Sequence, residues 1–265
     1  MDDLPENEYL KTAITAAKSV GDLQNEHCGN IAKSEFKYKS RRDLVTETDI
    51  QSEKEIIDII ATKYPNHTIA GEETKGVQGE SDKRWVIDPI DGTTNYYHGV
   101  PFYAVSIAFK KDGEAEIGVV YCPSTDETYC AINGNGAYYN NKRITVSGET
   151  DWERSLIGTG FLSKHIVDEE LLGVLQVVVN TTHGIRRFGS AAASLAMVAS
   201  GQIEGYYHPY LNTWDIAAGV LMVKEAGGTI ETFETDEGDS LHVVATNGNI
   251  QTELSRLFTS SVTHH

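Results

Sequence analysis

This chain is poor in the features that mark secreted and membrane proteins. It has three cysteines, Cys28, Cys122 and Cys130, and their spacing resembles neither paired metal ligands nor a redox pair. No apolar run approaches the ~18 residues of a membrane-spanning helix. The acidic N-terminus, MDDLPENEYL, lacks the basic and then apolar segments of a secretory signal. We therefore expect reduced thiols, a cytoplasmic location and no membrane partner.

Positive charge is also scarce. The 265 residues include 22 lysines and arginines against 39 acids, which gives a formal net charge of −17. The field of such a protein repels nucleic-acid phosphates, so we expect no nucleic-acid partner. Hydrophobic residues make up 40% of the chain, enough for a sizeable core. The length is compatible with one large domain or with two coupled halves.

The hydrophobic patterns predict two halves of different architecture. Apolar residues at helical spacing predict one helix over residues 6–28 and another that Asp49 caps and Tyr64-Pro65 ends. Alternating strands then predict helices packed on an antiparallel sheet for residues 1–150. After a boundary near 147–153, strands alternate with helices, which predicts α/β layering for residues 151–265. We expect the two halves to form one tightly coupled unit.

The most informative segment is residues 85–95, WVIDPIDGTTN. Three apolar residues predict the end of a buried strand, and Asp88 and Asp91 follow it. Gly92 permits a sharp turn and the close approach of a ligand, and the Thr-Thr-Asn run favours a helix start whose N–H groups can bind phosphate. Converging carboxylates can hold hard divalent cations. The segment therefore indicates metal-assisted phosphoryl chemistry, although Asp and Gly are also ordinary residues of a strand-to-helix turn.

Three further segments accompany the central DPIDGT motif. They are DLVTETD at 43–49, GEE at 71–73, and WDIAAG at 214–219, which runs on to EAGG at 225–228. In order and spacing the four elements resemble the inositol monophosphatase family of metal-dependent, lithium-sensitive phosphatases, over residues 35–250. The resemblance implies a layered α/β/α/β/α sandwich in which an α+β half and an α/β half meet at a metal site. It also implies a homodimer.

The resemblance implies a metal site made of oxygen donors. The implied ligands are Glu72, Asp88, the carbonyl of Ile90, Asp91 and Asp215. Oxygen-only ligation suits Mg²⁺, with Mn²⁺ as a substitute, rather than zinc. Taken singly, Asp215 could be a helix cap and Glu72 a solvated loop charge.

The resemblance also implies roles in the reaction. Glu72 and Thr93 would orient and activate the attacking water, and Asp49 would support Thr93 from behind. Backbone N–H groups at Gly92 and Thr93 would hold the phosphate. Asp91 and Asp215 would also contact the bound substrate.

Substrate selection is implied for a different set of residues. The implied lining segment is Gly189-Ser190-Ala191, and Lys39 matches a family lysine near the active site, with Lys37 as the alternative match. His208 stands seven residues before Asp215, where inositol-specific members usually carry a glutamate. A carboxylate only accepts hydrogen bonds, whereas a neutral imidazole offers one donor and one acceptor. The inositol preference is therefore open, and His208 could instead be a surface residue with no role.

These features favour a Mg²⁺-dependent phosphomonoesterase. The expected substrates are inositol monophosphate or related polyol and sugar phosphates, attacked by water with the help of two or three metal ions. The alternative among enzymes is a fructose-1,6-bisphosphatase or a broad sugar phosphatase. The alternative outside enzymes is a regulatory protein on the same scaffold, since some bacterial relatives associate with the transcription machinery.

Overall fold

The protein is built from alternating layers of helix and sheet. The computed structural model describes residues 4–30, 36–40, 43–161, 169–235 and 240–262. The helices of these ranges are α1 (Glu8–Ser19), α2 (Gly21–His27), α3 (Glu47–Lys63), α4 (Thr93–Tyr97), α5 (Glu169–Thr181), α6 (Ala191–Ala199), α7 (Thr213–Glu225) and α8 (Gln251–Val262). A 3₁₀ turn spans Trp152–Arg154. None of the described helices is long and apolar enough to cross a bilayer.

The strands form one ribbon and two sheets. The ribbon pairs β1 (Phe36–Ser40) with β2 (Asp43–Thr46). The first sheet has seven strands in sequential order: β3 (Thr68–Gly71), β4 (Lys83–Asp91), β5 (Ala104–Lys111), β6 (Glu114–Cys122), β7 (Glu127–Ile132), β8 (Gly136–Tyr139) and β9 (Lys142–Ile144). Its pairs are antiparallel except for β3 and β4, which run parallel.

The second sheet comes from the later part of the chain and is mixed. Its strands are β10 (Leu156–Thr159), β11 (Gly184–Arg186), β12 (Gly205–Leu211), β13 (Thr229–Glu234) and β14 (Leu241–Thr246). They lie in the order β11-β10-β12-β14-β13. The β10 strand runs parallel to both of its neighbours, while β14 runs antiparallel to both of its own.

Helices cover both faces of each sheet, which confirms the layered α/β/α/β/α sandwich. Helices α1 and α3 pack on one face of the seven-stranded sheet, α6 and α7 lie between the sheets, and α5 and α8 cover the outer face of the second sheet. Successive side chains of β4 point to opposite faces of the sheet, which explains the layering. Trp85 and Ile87 pack in the core beneath α1 and α3, and Val86 packs in the core beneath α6 and α7.

The central helices lie very close together. Gly219 of α7 faces Leu195 of α6, and a Cβ at that glycine would lie 2.5 Å from a Leu195 side-chain atom. Gly118 of β6 faces the backbone of Ala218 in the same way, with a Cβ 2.7 Å from its carbonyl oxygen. These approaches fix the position of α7, which carries Asp215, against the sheet that carries the other aspartates.

The structure corrects two features of the predicted first half. The helix expected over 6–28 is two helices, because Val20 ends α1 and α2 begins at Gly21. Helix α3 begins at Glu47, and Thr46 is its N-cap. Asp49 is therefore not the capping residue itself. It occupies the third helical position and completes a capping box with Thr46.

Candidate active site

An irregularity at the end of β4 brings Asp88 and Asp91 together. Residues three apart in a regular strand point to opposite faces of the sheet. The register between β4 and β5 shifts between these two aspartates, which re-aims the second. Pro89 lies between them and has no N–H to give to the ladder. The Ile90 N–H instead donates to Asp88 Oδ1 at 3.0 Å.

Helix α7 adds a third carboxylate from the other side of the cavity. Asp215 lies in its first turn, and the Asn212 N–H donates to Asp215 Oδ2 at 2.6 Å. Asp88, Asp91 and Asp215 each offer one oxygen within 4.8 Å of the others. All three side chains are buried, Asp88 to within 1% of full burial. Asp215 is thus both a capping-box residue and a member of the acidic cluster.

One oxygen of Asp91 is held by the start of α6. The Ser190 hydroxyl and the Ala192 N–H, at 2.7 Å, both donate to Asp91 Oδ2. Gly92 has a positive φ of 102°, and a Cβ there would lie 3.0 Å from the Gly189 carbonyl oxygen. The segment from 189 to 191, predicted to line the substrate, is therefore fastened directly to the end of β4.

The electrostatics of the cluster are compatible with a bound cation. Burial raises the pKa of Asp88 well above its ordinary value, and the charges of Glu72, Asp91 and Asp215 raise it further. Burial and the charges of Glu72 and Asp91 raise the pKa of Asp215 in the same way, against its capping-box hydrogen bonds. Burial raises the pKa of Asp91 to about 6, although hydrogen bonds from α6 lower it. Carboxylates this close cannot all ionise unless a counter-ion joins them. The all-oxygen donor set fits Mg²⁺.

Glu72 extends the acidic cluster from β3. Its N–H donates to the Ile87 carbonyl at 3.2 Å, which continues the pairing of β3 with β4. Its half-buried side chain lines the same cavity, and its charge raises the pKa of Asp88. Glu72 is therefore not a solvated loop charge.

Thr93 and Asp49 meet at the start of α4. The Thr93 hydroxyl lies 3.4 Å from Asp49 Oδ1 and 3.2 Å from the Ile90 carbonyl oxygen, and its one proton is directed to these acceptors. Asp49 is almost fully buried and accepts the Thr46 N–H at 2.9 Å. The predicted contact between Thr93 and Asp49 is present, and it orients the oxygen lone pairs of Thr93 away from Asp49.

A cavity of about 210 Å³ opens above the carboxylates. His208 lines it, and the His208 Nδ1–H donates to the Pro209 carbonyl, so Nε2 is the acceptor nitrogen of the neutral ring. Gly160 allows this ring position, since a Cβ there would lie 2.2 Å from the imidazole. His208 is therefore a buried cavity residue. Lys39 lies in β1, but its side chain is outside the described residues, and the side chain of Lys37 is exposed.

Three residues that support the site were not identified from the sequence as site residues. Glu53 is fully buried and accepts the N–H groups of Glu73 and Thr74, both at 2.8 Å. Asn95 Nδ2 donates to the Phe102 and Phe188 carbonyls, both at 2.7 Å. Arg187 lines the cavity above a ring of Phe161, 5.6 Å from its centroid. The helical spacing of Glu53 from Asp49 was a signal for the first of these.

Comparison with known proteins gives a consistent picture. The model of the inositol monophosphatase family matches residues 6–264. An inositol-1-monophosphatase of Mesorhizobium japonicum is 36% identical over 92% of this chain and 94% of its own, and a Nus factor SuhB of Pseudomonas aeruginosa is 40% identical over 90% and 91%. The solved structure of Thermotoga maritima IMPase has a TM-score of 0.86 at 33% identity, covering 97% of this chain and 98% of its own.

Proposed function

The chain belongs to the inositol monophosphatase family, and on that premise we propose that it is a Mg²⁺-dependent phosphomonoesterase of inositol monophosphate or a related polyol or sugar phosphate. The observation that carries the proposal is the cluster of Asp88, Asp91 and Asp215. Their oxygens lie within 4.8 Å of one another at the base of a cavity. Buried carboxylates at this spacing are stable as anions only with a cation between them.

The residues around the cluster suit the attack of water on a phosphate ester. Bound Mg²⁺ would lower the pKa of water and stabilise both the attacking and the leaving oxygen. The side chains of Glu72, Asp88, Asp91 and Asp215 and the carbonyl of Ile90 would hold it. Thr93, oriented by Asp49, would direct the water towards the phosphorus atom, and Glu72 would take the proton of that water. Backbone N–H groups of Gly92 and Thr93 would bind the phosphate oxygens.

A sugar bisphosphatase is the second candidate, because of Arg187. Among the described residues that line the cavity it is the only lysine or arginine. Its guanidinium donates to the Phe161 carbonyl at 3.2 Å and has no acidic partner within the described ranges. A fixed guanidinium is well suited to a second phosphate group. Arg186 is a matched control, since it neighbours Arg187 but does not line the cavity.

A regulatory role on the same scaffold is the non-enzymatic candidate. The Pseudomonas aeruginosa relative, the Nus factor SuhB, favours this candidate. The acidic charge of −17 favours a protein partner over nucleic acid for such a role. The full set of four carboxylates in the cavity favours the enzyme.

A phosphate-release screen distinguishes these candidates. The substrates are inositol 1-phosphate, fructose 1,6-bisphosphate, adenosine 3′,5′-bisphosphate and histidinol phosphate, each with and without Mg²⁺. We expect Mg²⁺-dependent release that Li⁺ inhibits, with inositol 1-phosphate among the best substrates. Arg187→Gln, but not Arg186→Gln, should lower kcat/KM for the sugar bisphosphate by about 10-fold or more relative to the monophosphate, since a charged hydrogen bond is worth about 1.5–3 kcal/mol. Release of no phosphate from any substrate would favour the regulatory role.

A further inference from the structure

The structure contains a buried carboxylate that takes no part in the proposed chemistry. Glu53 lies in α3, is 0% exposed and is not among the residues that line the cavity. Burying a carboxylate is costly unless its oxygens are hydrogen-bonded. Its two oxygens each accept one backbone N–H, from Glu73 and from Thr74, both at 2.8 Å. Glu53 therefore binds the backbone immediately after Glu72.

The chain around Glu72 is shaped to receive this carboxylate. Gly71 precedes Glu72, and a Cβ at Gly71 would lie 2.3 Å from the carboxyl carbon of Glu53 and 2.4 and 2.5 Å from its oxygens. Any residue other than glycine would push the loop and the carboxylate apart. Glu72 is thus held from both sides, by β4 through the Ile87 carbonyl and by α3 through Glu53.

Helix α3 contacts Thr93 directly and supports Glu72 through the backbone that follows it. Asp49 and Glu53 are four residues apart, so they lie on one face of the helix about 6 Å apart along its axis. Asp49 contacts Thr93, and Glu53 holds the loop of Glu72. One rigid turn of helix therefore links Thr93 to Glu72.

We propose that Glu53 is a positioning residue, which fixes Glu72 relative to Thr93 and to the acidic cluster by way of the backbone at 73 and 74. The inference rests on the proposed metal-dependent function. A Glu72 that is free to move would bind the metal ion weakly and would orient the water poorly. Contacts between substrate and protein at His208 or Ser190 would remain.

The test measures metal binding directly, by the loss of the free Mn²⁺ signal in electron paramagnetic resonance. Glu53→Gln keeps the shape but presents an amide N–H₂ group to one of the two backbone donors. We expect its Kd for Mn²⁺ to rise about 10–100-fold, the usual cost of losing a contact behind a metal ligand. At saturating Mg²⁺, kcat for inositol 1-phosphate should fall and KM should change little.

Glu55→Gln is the matched control, because Glu55 is an exposed glutamate of the same helix. Gly71→Ala is the second variant. It retains the Glu53 carboxylate but displaces it, so it should weaken Mn²⁺ binding in the same direction even if Glu53→Gln fails to fold. If folded Glu53→Gln or Gly71→Ala protein binds Mn²⁺ as tightly as Glu55→Gln protein does, the inference about Glu53 is wrong, while the proposed function is unaffected. Wild-type protein that binds no Mn²⁺ and releases no phosphate would overturn the proposed function itself.

Discussion

At the residue scale, Asp88 shows the electrostatic cost of the acidic cluster. Its carboxylate is buried beside the charges of Glu72, Asp91 and Asp215, which raise its pKa. Asp88→Asn removes one charge and keeps the shape. We expect kcat/KM to fall at least about 100-fold, because metal coordination supplies several kcal/mol of transition-state stabilisation. The Tm of metal-free protein should rise at neutral pH, since the cost of burying or protonating this carboxylate is removed. Phosphate release and thermal unfolding in EDTA measure these effects, and full activity of the variant would contradict the metal assignment.

Thr93 gives a test of how the water is oriented. Its hydroxyl proton is directed to Asp49 and to the Ile90 carbonyl, which leaves its lone pairs for another donor. Thr93→Val removes the hydroxyl at nearly constant volume. We expect kcat to fall by about 10²–10⁴-fold with little change in KM, as for the loss of general acid–base assistance. Steady-state kinetics at saturating Mg²⁺ check this. A change confined to KM would mean that Thr93 only binds the phosphate.

His208 bears on substrate choice. Its Nδ1–H donates a hydrogen bond to the Pro209 carbonyl, so Nε2 is left as the acceptor nitrogen of the neutral ring. His208→Glu restores the acceptor-only group of inositol-specific relatives. We expect kcat/KM for inositol 1-phosphate to rise relative to other sugar phosphates by about 10-fold or more, the scale of one charged hydrogen bond. His208→Ala serves as the comparison. Identical ratios in wild type and both variants would place substrate selection elsewhere.

At the scale of elements, α6 and α7 pack so closely that adding a single methyl group at their contact should destabilise the protein. Gly219→Ala would place a Cβ 2.5 Å from Leu195. We expect the free energy of unfolding to fall by about 1–3 kcal/mol, as is usual when a packed core is overfilled. Gly173→Ala is the matched control in α5, where a Cβ meets nothing within 4 Å. That change should stabilise the protein by about 0.5–1 kcal/mol, because alanine is the better helix former. Urea unfolding of both variants measures the difference.

Elements with a strong periodic pattern were predictable from the sequence. The pattern of residues 213–225 predicts a helix there, and α7 has these bounds. The break at Val20 was not predictable, because the apolar spacing continues from α1 into α2. Strand β13 was also missed, and every described residue in it is exposed or only half-buried. Its pairing with β14 comes from tertiary context rather than from a local pattern.

In the candidate site, too, some residues were predictable from the sequence and others were not. Motif residues such as Asp88 and Asp215 were identifiable because their spacing in the sequence resembles a known family. The contact of Glu53 with the backbone at 73 and 74 could not be predicted from the sequence. It joins α3 to a loop twenty residues later through backbone N–H groups, which leave no pattern of residue types. Lys39 stays a prediction, since its side chain lies outside the described part of the chain.

At the scale of the whole molecule, stability should depend on pH and metal together. The raised pKa values mean that the folded, metal-free protein holds protons that the unfolded chain has released. The cluster therefore contributes to stability at low pH, and this contribution is lost as the pH rises through the pKa values of the folded state. For Asp91 that pKa is about 6. Mg²⁺ competes with these protons. The rise in Tm caused by Mg²⁺ should accordingly be larger at pH 7.5 than at pH 5.5, as measured by calorimetry. An equal rise at both pH values would show that the metal binds elsewhere.

The acidic cluster also bears on how the protein is made. Asp88 and Asp91 belong to the first sheet, whereas Asp215 arrives with α7, after most of the second sheet has been synthesised. Contacts between such distant parts of a chain form late, and the earlier part of a chain tends to fold first as it leaves the ribosome. In a nascent chain the acidic cluster thus stays incomplete until α7 docks. We expect the ability to capture an ion, and with it the ability to turn over substrate, to appear only after α7 has been synthesised and has docked.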